Sequence, residues 1–65
     1  MSYRRVFALC TRLLRGEVLE LVDAQGRRWR ATARELVALP GGGAVVRGCA
    51  YDVAAACVGK GLERW

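Results

Sequence analysis

From Tyr3 to Arg15 apolar and polar positions separate at the 3.6-residue period of a helix. At 100° per residue Leu9, Leu13, Val6, Cys10, Tyr3, Leu14 and Phe7 fall between about 180° and 340°. Arg4, Arg5, Thr11, Arg12 and Arg15, with Ala8, occupy about 20° to 140°. Ser2 stands in front as an N-cap, Gly16 follows at a C′ position, and neither Gly nor Pro interrupts the stretch. The pattern predicts an amphipathic helix over residues 2–15, with a wide apolar face and a polar face built almost wholly of arginine.

The period then changes to two. Glu17-Val-Leu-Glu-Leu-Val-Asp23 alternates, and Asp23-Ala-Gln-Gly26 is turn chemistry with Gly placed for a positive φ. With Ala24–Gly26 as a three-residue loop, Leu21 faces Trp29, Leu19 faces Ala31 and Glu17 faces Ala33 on one side of a hairpin. On the other side Glu20 faces Arg30, Val22 faces Arg28 and Val18 faces Thr32. One face is apolar apart from its end pair, and the other carries an opposite-charge pair, as a half-buried antiparallel hairpin requires.

Residues 32–39 either continue the second strand or cap a short helix; the pattern favours a strand with a bend near Arg34. Pro40–Gly43 is a loop, and Ala44–Arg47 is a short strand. Residues 51–65 support two assignments. Asp52 as N-cap, an alanine-rich stretch and Gly59 as terminator read as a helix. The same residues also read as one turn followed by a strand over Ala56–Leu62. The pattern favours the helix.

Sixty-five residues form one domain, 54% hydrophobic, with Trp29, Trp65, Tyr3, Tyr51 and Phe7 available to a core. A chain this short buries only about 60% of its extended surface, so little is left for a deep pocket, and a homodimer is one route to added stability. No stretch approaches the roughly 18 apolar residues of a membrane span. The apolar run Val6–Cys10 ends at Arg12, too short for a signal h-region of at least about 7 residues, so a cytoplasmic location is expected.

The residue inventory argues against catalysis. There is no histidine and one lysine, which nearly closes the common general acid/base and Schiff-base routes. Of the six carboxylates, Glu20 is expected to pair with Arg30, Asp23 to shape a turn and Asp52 to cap one. Cys10, Cys49 and Cys57 are odd in number, lack a C-x-x-C spacing and read as small buried apolar residues. Gly41–Gly43 and Gly59-Lys-Gly61 do not fit a phosphate-binding loop. No metal or cofactor is expected.

Charge distribution says more. Residues 1–16 carry a net +4 with no acid, residues 17–35 are balanced, and residues 36–65 carry +1, so most of the formal +5 lies on the first helix. Without acids in that helix the arginines gain no i,i+4 partner. Two readings compete. Arg4, Arg5, Arg12 and Arg15 are a solvated polar face in a composition that favours arginine over lysine, or they dock onto phosphates or an acidic protein through bidentate contacts. Arg28 and Arg30 on the outer hairpin face would extend that surface. No interleaving of aromatic with basic residues of the kind single-stranded RNA platforms use is visible.

The order of elements resembles the Rof family, small bacterial proteins that bind and inhibit the Rho termination factor. The likeness is carried by Tyr3-x-x-Val6-x-x-Leu9-Cys10, by Ala31-Thr-Ala33-Arg-Glu35-Leu36-Val37 and by Tyr51-Asp52-x-x-Ala55, and it runs loosely over about 55 residues. The resemblance implies an N-terminal helix on a small Sm-like antiparallel barrel, with residues 51–65 as a turn plus a closing strand. The sequence departs from the family in charge. Arg4 and Arg5 stand where Rof proteins tend to have acids, and the segment before Tyr51 is shorter.

The expected fold is α+β: an N-terminal amphipathic helix packed on a small curved antiparallel sheet, a partly closed Sm-like or SH3-like barrel, with a short C-terminal helix as an option. The expected function is non-catalytic regulatory binding. The arginine face (Arg4, Arg5, Arg12 and Arg15, extended by Arg28 and Arg30) would dock onto a nucleic acid or a bacterial nucleoprotein machine, in the manner of a transcription antiterminator. The alternative is a phage- or mobile-element-encoded inhibitor, anti-CRISPR-like, that acts through protein–protein contact alone.

Overall fold

The amphipathic pattern at the N-terminus and the alternation after it become, in a computed structural model that describes residues 3–64, a helix α1 (Tyr3–Leu14) followed by strands β1 (Leu19–Val22) and β2 (Arg28–Ala31). Strands β3 (Glu35–Ala38) and β4 (Ala44–Arg47), helix α2 (Ala50–Gly59) and a two-residue strand β5 (Glu63–Arg64) complete the chain. The expected N-cap Ser2 and the terminal Trp65 lie outside the described residues.

The sheet runs β4-β3-β2-β1-β5 with every described neighbour antiparallel. It is not closed: β4 and β5 are its two edges, so the architecture is α+β with an open, partly wrapped sheet. The β1–β2 register is Leu19↔Ala31, Glu20↔Arg30, Leu21↔Trp29 and Val22↔Arg28, as the alternation predicts. The hydrogen-bonded ladder is shorter than expected, and the outer pairs Glu17/Ala33 and Val18/Thr32 fall beyond it. At the tip, Gly26 takes φ 81 and Asp23 exchanges backbone bonds with Arg27 and Gly26. The three-residue loop therefore closes with a left-handed glycine.

The bend expected near Arg34 is a tight turn held by Thr32. Its N–H donates to the Glu35 carbonyl at 2.9 Å, and its hydroxyl accepts from the N–H of Arg34 and of Glu35. The β3–β4 register shifts between Leu36 and Val37, which bends the edge of the sheet.

Both helices end in a Schellman motif. Gly16 (φ 90) donates to the Leu13 carbonyl and Glu17 to that of Arg12; Gly61 (φ 68) donates to Val58 and Leu62 to Cys57. One helix-boundary expectation is corrected here. Asp52 is not the N-cap of α2. That position is Cys49, and the Asp52 carboxylate, three residues on, accepts from the Cys49 N–H at 3.4 Å and from its thiol. Gly59 is the last helical residue, as expected, and Gly61 takes the left-handed conformation that reverses the chain.

The helix thus prevails over the strand for residues 50–59, and a closing strand follows it as β5, paired with β1. The alternative strand over Ala56–Leu62 gives way, and so does the Rof-implied turn at the start of residues 51–65, because Val53, Ala54 and Cys57, at helical spacing, are all buried.

The core is one cluster. Val6, Leu9 and Leu13 of α1 and Val53, Ala54 and Cys57 of α2 meet Leu19, Leu21, Trp29, Ala31, Leu36 and Ala38 of the sheet, closed by Leu62. α1 lies along α2, and α2 lies against β2, β3 and β4. Alanines at the contact face of α2 let the helices approach closely. No helix among the described residues is long and apolar enough to cross a membrane.

Candidate docking surface on helix α1

The apolar sector of α1 is wider than the core it meets. Only Val6, Leu9 and Leu13 are buried and Cys10 is half-buried, whereas Tyr3, Phe7 and Leu14 are 75%, 74% and 71% exposed. Around the helix the order is the core residues, then Cys10, Tyr3, Leu14 and Phe7 turned to solvent, then Thr11, Arg4 and Arg15, then Arg12 and Arg5 on the far flank of the core. Large apolar side chains in water at Tyr3, Phe7 and Leu14, all on one side of the helix, are an interaction signal, because single exposed residues are ordinary but patches are not. The sequence pattern contained these residues but assigned the whole sector to the core.

The four arginines of α1 do not act alike. Arg5 donates from Nη2 to the Leu62 carbonyl at 2.7 Å, tying the start of α1 to the segment that closes α2. Arg12 donates from Nε and Nη2 to one oxygen of Glu17, at 3.0 and 2.8 Å. That bond raises the Arg12 pKa above its ordinary value. The acid that Arg12 meets is five residues on and beyond the helix, so it is no i,i+4 partner within α1. The Schellman motif around Gly16 brings side chains C3 and C″, here Arg12 and Glu17, next to one another. Recognising Gly16 as C′ is the sequence signal from which this pair is readable. Arg4 and Arg15 are exposed and face outward beside the apolar stripe.

Arg28 and Arg30 do not extend this surface. Trp29 and Ala31 between and beyond them point into the core with the helices, so alternation sends Arg28 and Arg30 to the opposite face of the sheet. Glu20 lies opposite Arg30 in the register, but their charged groups form no ion pair, correcting that expected pairing. On the outer face Arg47 Nε lies 3.9 Å from Glu35 Oε1. The six arginines therefore divide into an outward pair on α1 (Arg4, Arg15), a pair engaged in holding α1 (Arg5, Arg12) and a pair on the far side of the sheet (Arg28, Arg30).

Trp29 is core, as its place in the register implies, and 8% exposed. Its indole N–H donates to Asp23 Oδ2 at 3.2 Å, and the Arg27 guanidinium and Lys60 ammonium each sit 5.5 Å from its ring centroid. Asp23 also accepts from the N–H of Arg27 and of Gln25, both at 2.9 Å. The Arg27 bond first, and then the indole bond, hold its carboxyl below the usual range. A shallow cavity of about 320 Å³ opens beside these groups, between Gln25, Lys60 and Leu62.

Of the cysteines, Cys57 is buried and its thiol is pushed up to about 11 by that burial. Cys10 is half-buried. Cys49 is exposed at the N-terminus of α2, against the expectation that all three are core. Among the described residues no group of three His, Cys, Asp or Glu side chains is placed to hold a metal ion. No protein-family model, curated protein or solved structure matches the chain.

Proposed function

We propose that this chain is a non-catalytic regulatory binding protein of the bacterial cytoplasm that docks onto a protein component of a nucleoprotein machine, in the manner of a Rho-binding antiterminator. The observation that carries this reading is the outer face of α1. Tyr3, Phe7 and Leu14 stand in solvent at 71% to 75% exposure, in line with Arg4 and Arg15. An apolar stripe with an arginine margin supplies what a protein interface uses: aromatic and apolar anchors that desolvate, and guanidinium groups that fix register and partner. The Rof resemblance supports the same class of activity, with a partner surface of opposite sign because Arg4 and Arg5 replace acids. An inhibitor encoded by a phage or mobile element would use the same face and the same contacts.

The nucleic-acid reading has its own support, since the exposed Tyr3 and Phe7 adjoin Arg4 as stacking residues adjoin phosphate contacts. Salt dependence separates the two. Binding through phosphates weakens by orders of magnitude between about 50 and 200 mM salt. Binding anchored on Tyr3, Phe7 and Leu14 changes far less and survives nuclease. Arg4→Glu with Arg15→Glu, together with Phe7→Ser, is expected to abolish co-purification of the partner while the fold remains. Retention of the partner by that triple variant refutes the assignment of the surface.

A further inference from the structure

We propose that the stripe on α1 receives an acidic amphipathic helix of the partner protein. The proposal rests on the docking reading above and names the chemistry of what docks. Four observations point to it.

The stripe is Tyr3, Phe7, Cys10 and Leu14, with intervals of four, three and four residues. That is the spacing of the seam between two packed helices, and at 100° per residue the four positions lie within about 60° of one another. A seam over a twelve-residue helix accepts a second helix lengthwise, with Cys10 half-buried at its floor and the three large side chains as knobs.

The margins of the seam are unlike. On one side lies the protein's own core, through Val6 and Leu13. On the other lie Arg4 and Thr11, at the positions that flank a helical seam and choose its partner by charge, with Arg15 one step further round. From Tyr3 to Arg15 there is no Asp or Glu. An incoming helix therefore meets cations at both ends of one margin, so Glu or Asp there is favoured and Lys or Arg is opposed.

A second copy of this chain is a poor occupant for the same reason. Antiparallel pairing of two α1 seams sets Arg4 near Arg15 of the other copy, so like charges meet. Parallel pairing turns the two arginine margins to opposite sides, each against the Val6 and Leu13 side of the other helix, where no acid receives it.

RNA is also a poor occupant. The seam is apolar without interruption, and Leu14 has no π-face for a base to stack on. The arginines stand along one margin and not between the aromatic residues.

The test is fluorescence anisotropy with the full chain and three probes. The first is a labelled helical peptide of about five turns with leucine at seam spacing and glutamate on the flanks. The others are the same peptide with lysine on the flanks, and oligouridine. Sedimentation of the chain alone accompanies them. The acidic peptide is expected to bind saturably and the lysine peptide at least about tenfold more weakly. Phe7→Ser or Leu14→Ser is expected to weaken the acidic peptide by a similar factor. Arg4→Glu with Arg15→Glu is expected to reverse the preference between the two peptides, a result that loss of folding cannot produce. Equal binding of both peptides overturns the proposal, as does tighter binding of oligouridine or a concentration-dependent dimer dissolved by Phe7→Ser. In the last two cases, sensitivity to α1 substitutions would leave the docking face in place with another occupant. Binding of any probe that ignores every α1 substitution refutes both.

Discussion

Replacing Arg5 by Met tests whether the arginines of α1 have divided their roles. Methionine keeps most of the apolar stem and removes the guanidinium that bonds the Leu62 carbonyl at 2.7 Å. A hydrogen bond from a charged group contributes about 1.5–3 kcal/mol net. The Arg5 bond is partly exposed, and water replaces part of it, so the lower end, about 1.5 kcal/mol, applies. At roughly 4–8 °C per kcal/mol for a domain of this size, Arg5→Met lowers Tm by about 6–12 °C. That is a large share of a total stability on the order of 3–10 kcal/mol for 65 residues. Arg4→Met, one residue earlier on the outward face, changes stability by no more than about 0.5 kcal/mol. Thermal and urea denaturation followed by circular dichroism read both, and binding reads the reverse order, with Arg4→Met the weaker binder. If the two variants melt within about 2 °C of one another, Arg5 does not hold α1 to the end of α2 and the division of roles is wrong.

Leu36 is fully buried in β3, so Leu36→Ala costs about 2–5 kcal/mol and leaves a chain this small largely unfolded near physiological temperature, measurable as loss of the cooperative urea transition. Cys49 is expected to react with iodoacetamide in the native state and Cys57 only on unfolding, which mass mapping of the alkylated peptides checks. The Cys57 thiol holds its proton more tightly folded than unfolded, so its contribution is fully present below about pH 9 and is lost towards about 11; the urea midpoint of the native chain should fall towards that of Cys57→Ala across this window. Asp23 has the opposite sign. Its carboxyl titrates lower when folded, so its contribution is present above pH 4 and is lost on acidification, seen as a change of Trp29 emission in a Trp65→Phe background that Asp23→Ala removes.

Much of the fold was legible because its determinants are local. The break at Gly16 fixes where α1 ends, and the turn Asp23–Gly26 pins β1 to β2 so firmly that the paired residues follow from counting. The Thr32 turn is likewise set by a side chain that bonds backbone two and three residues on. Residues 50–62 were harder, because alanine favours a helix but a short, almost wholly apolar run lacks the periodicity that excludes a buried strand. What decided them was Gly61 at the left-handed position and the burial of Val53, Ala54 and Cys57 against α1 and the sheet.

The binding surface was only half legible. An amphipathic α1 with four arginines and a hairpin with alternating faces follow from periodicity and charge, which belong to the chain. Which of those groups are left for a partner depends on packing. An apolar sector about 160° wide meets a core that covers Val6, Leu9 and Leu13 and stops there, leaving Tyr3, Phe7 and Leu14 in water. Arg5 is engaged by a carbonyl 57 residues away, a contact no local pattern encodes. The sheet then stands between α1 and the pair Arg28 and Arg30, because a strand sends alternate residues to opposite faces and Trp29 is claimed by the core. Periodicity sorts side chains onto faces; the packing of one face against another decides which of them remain exposed.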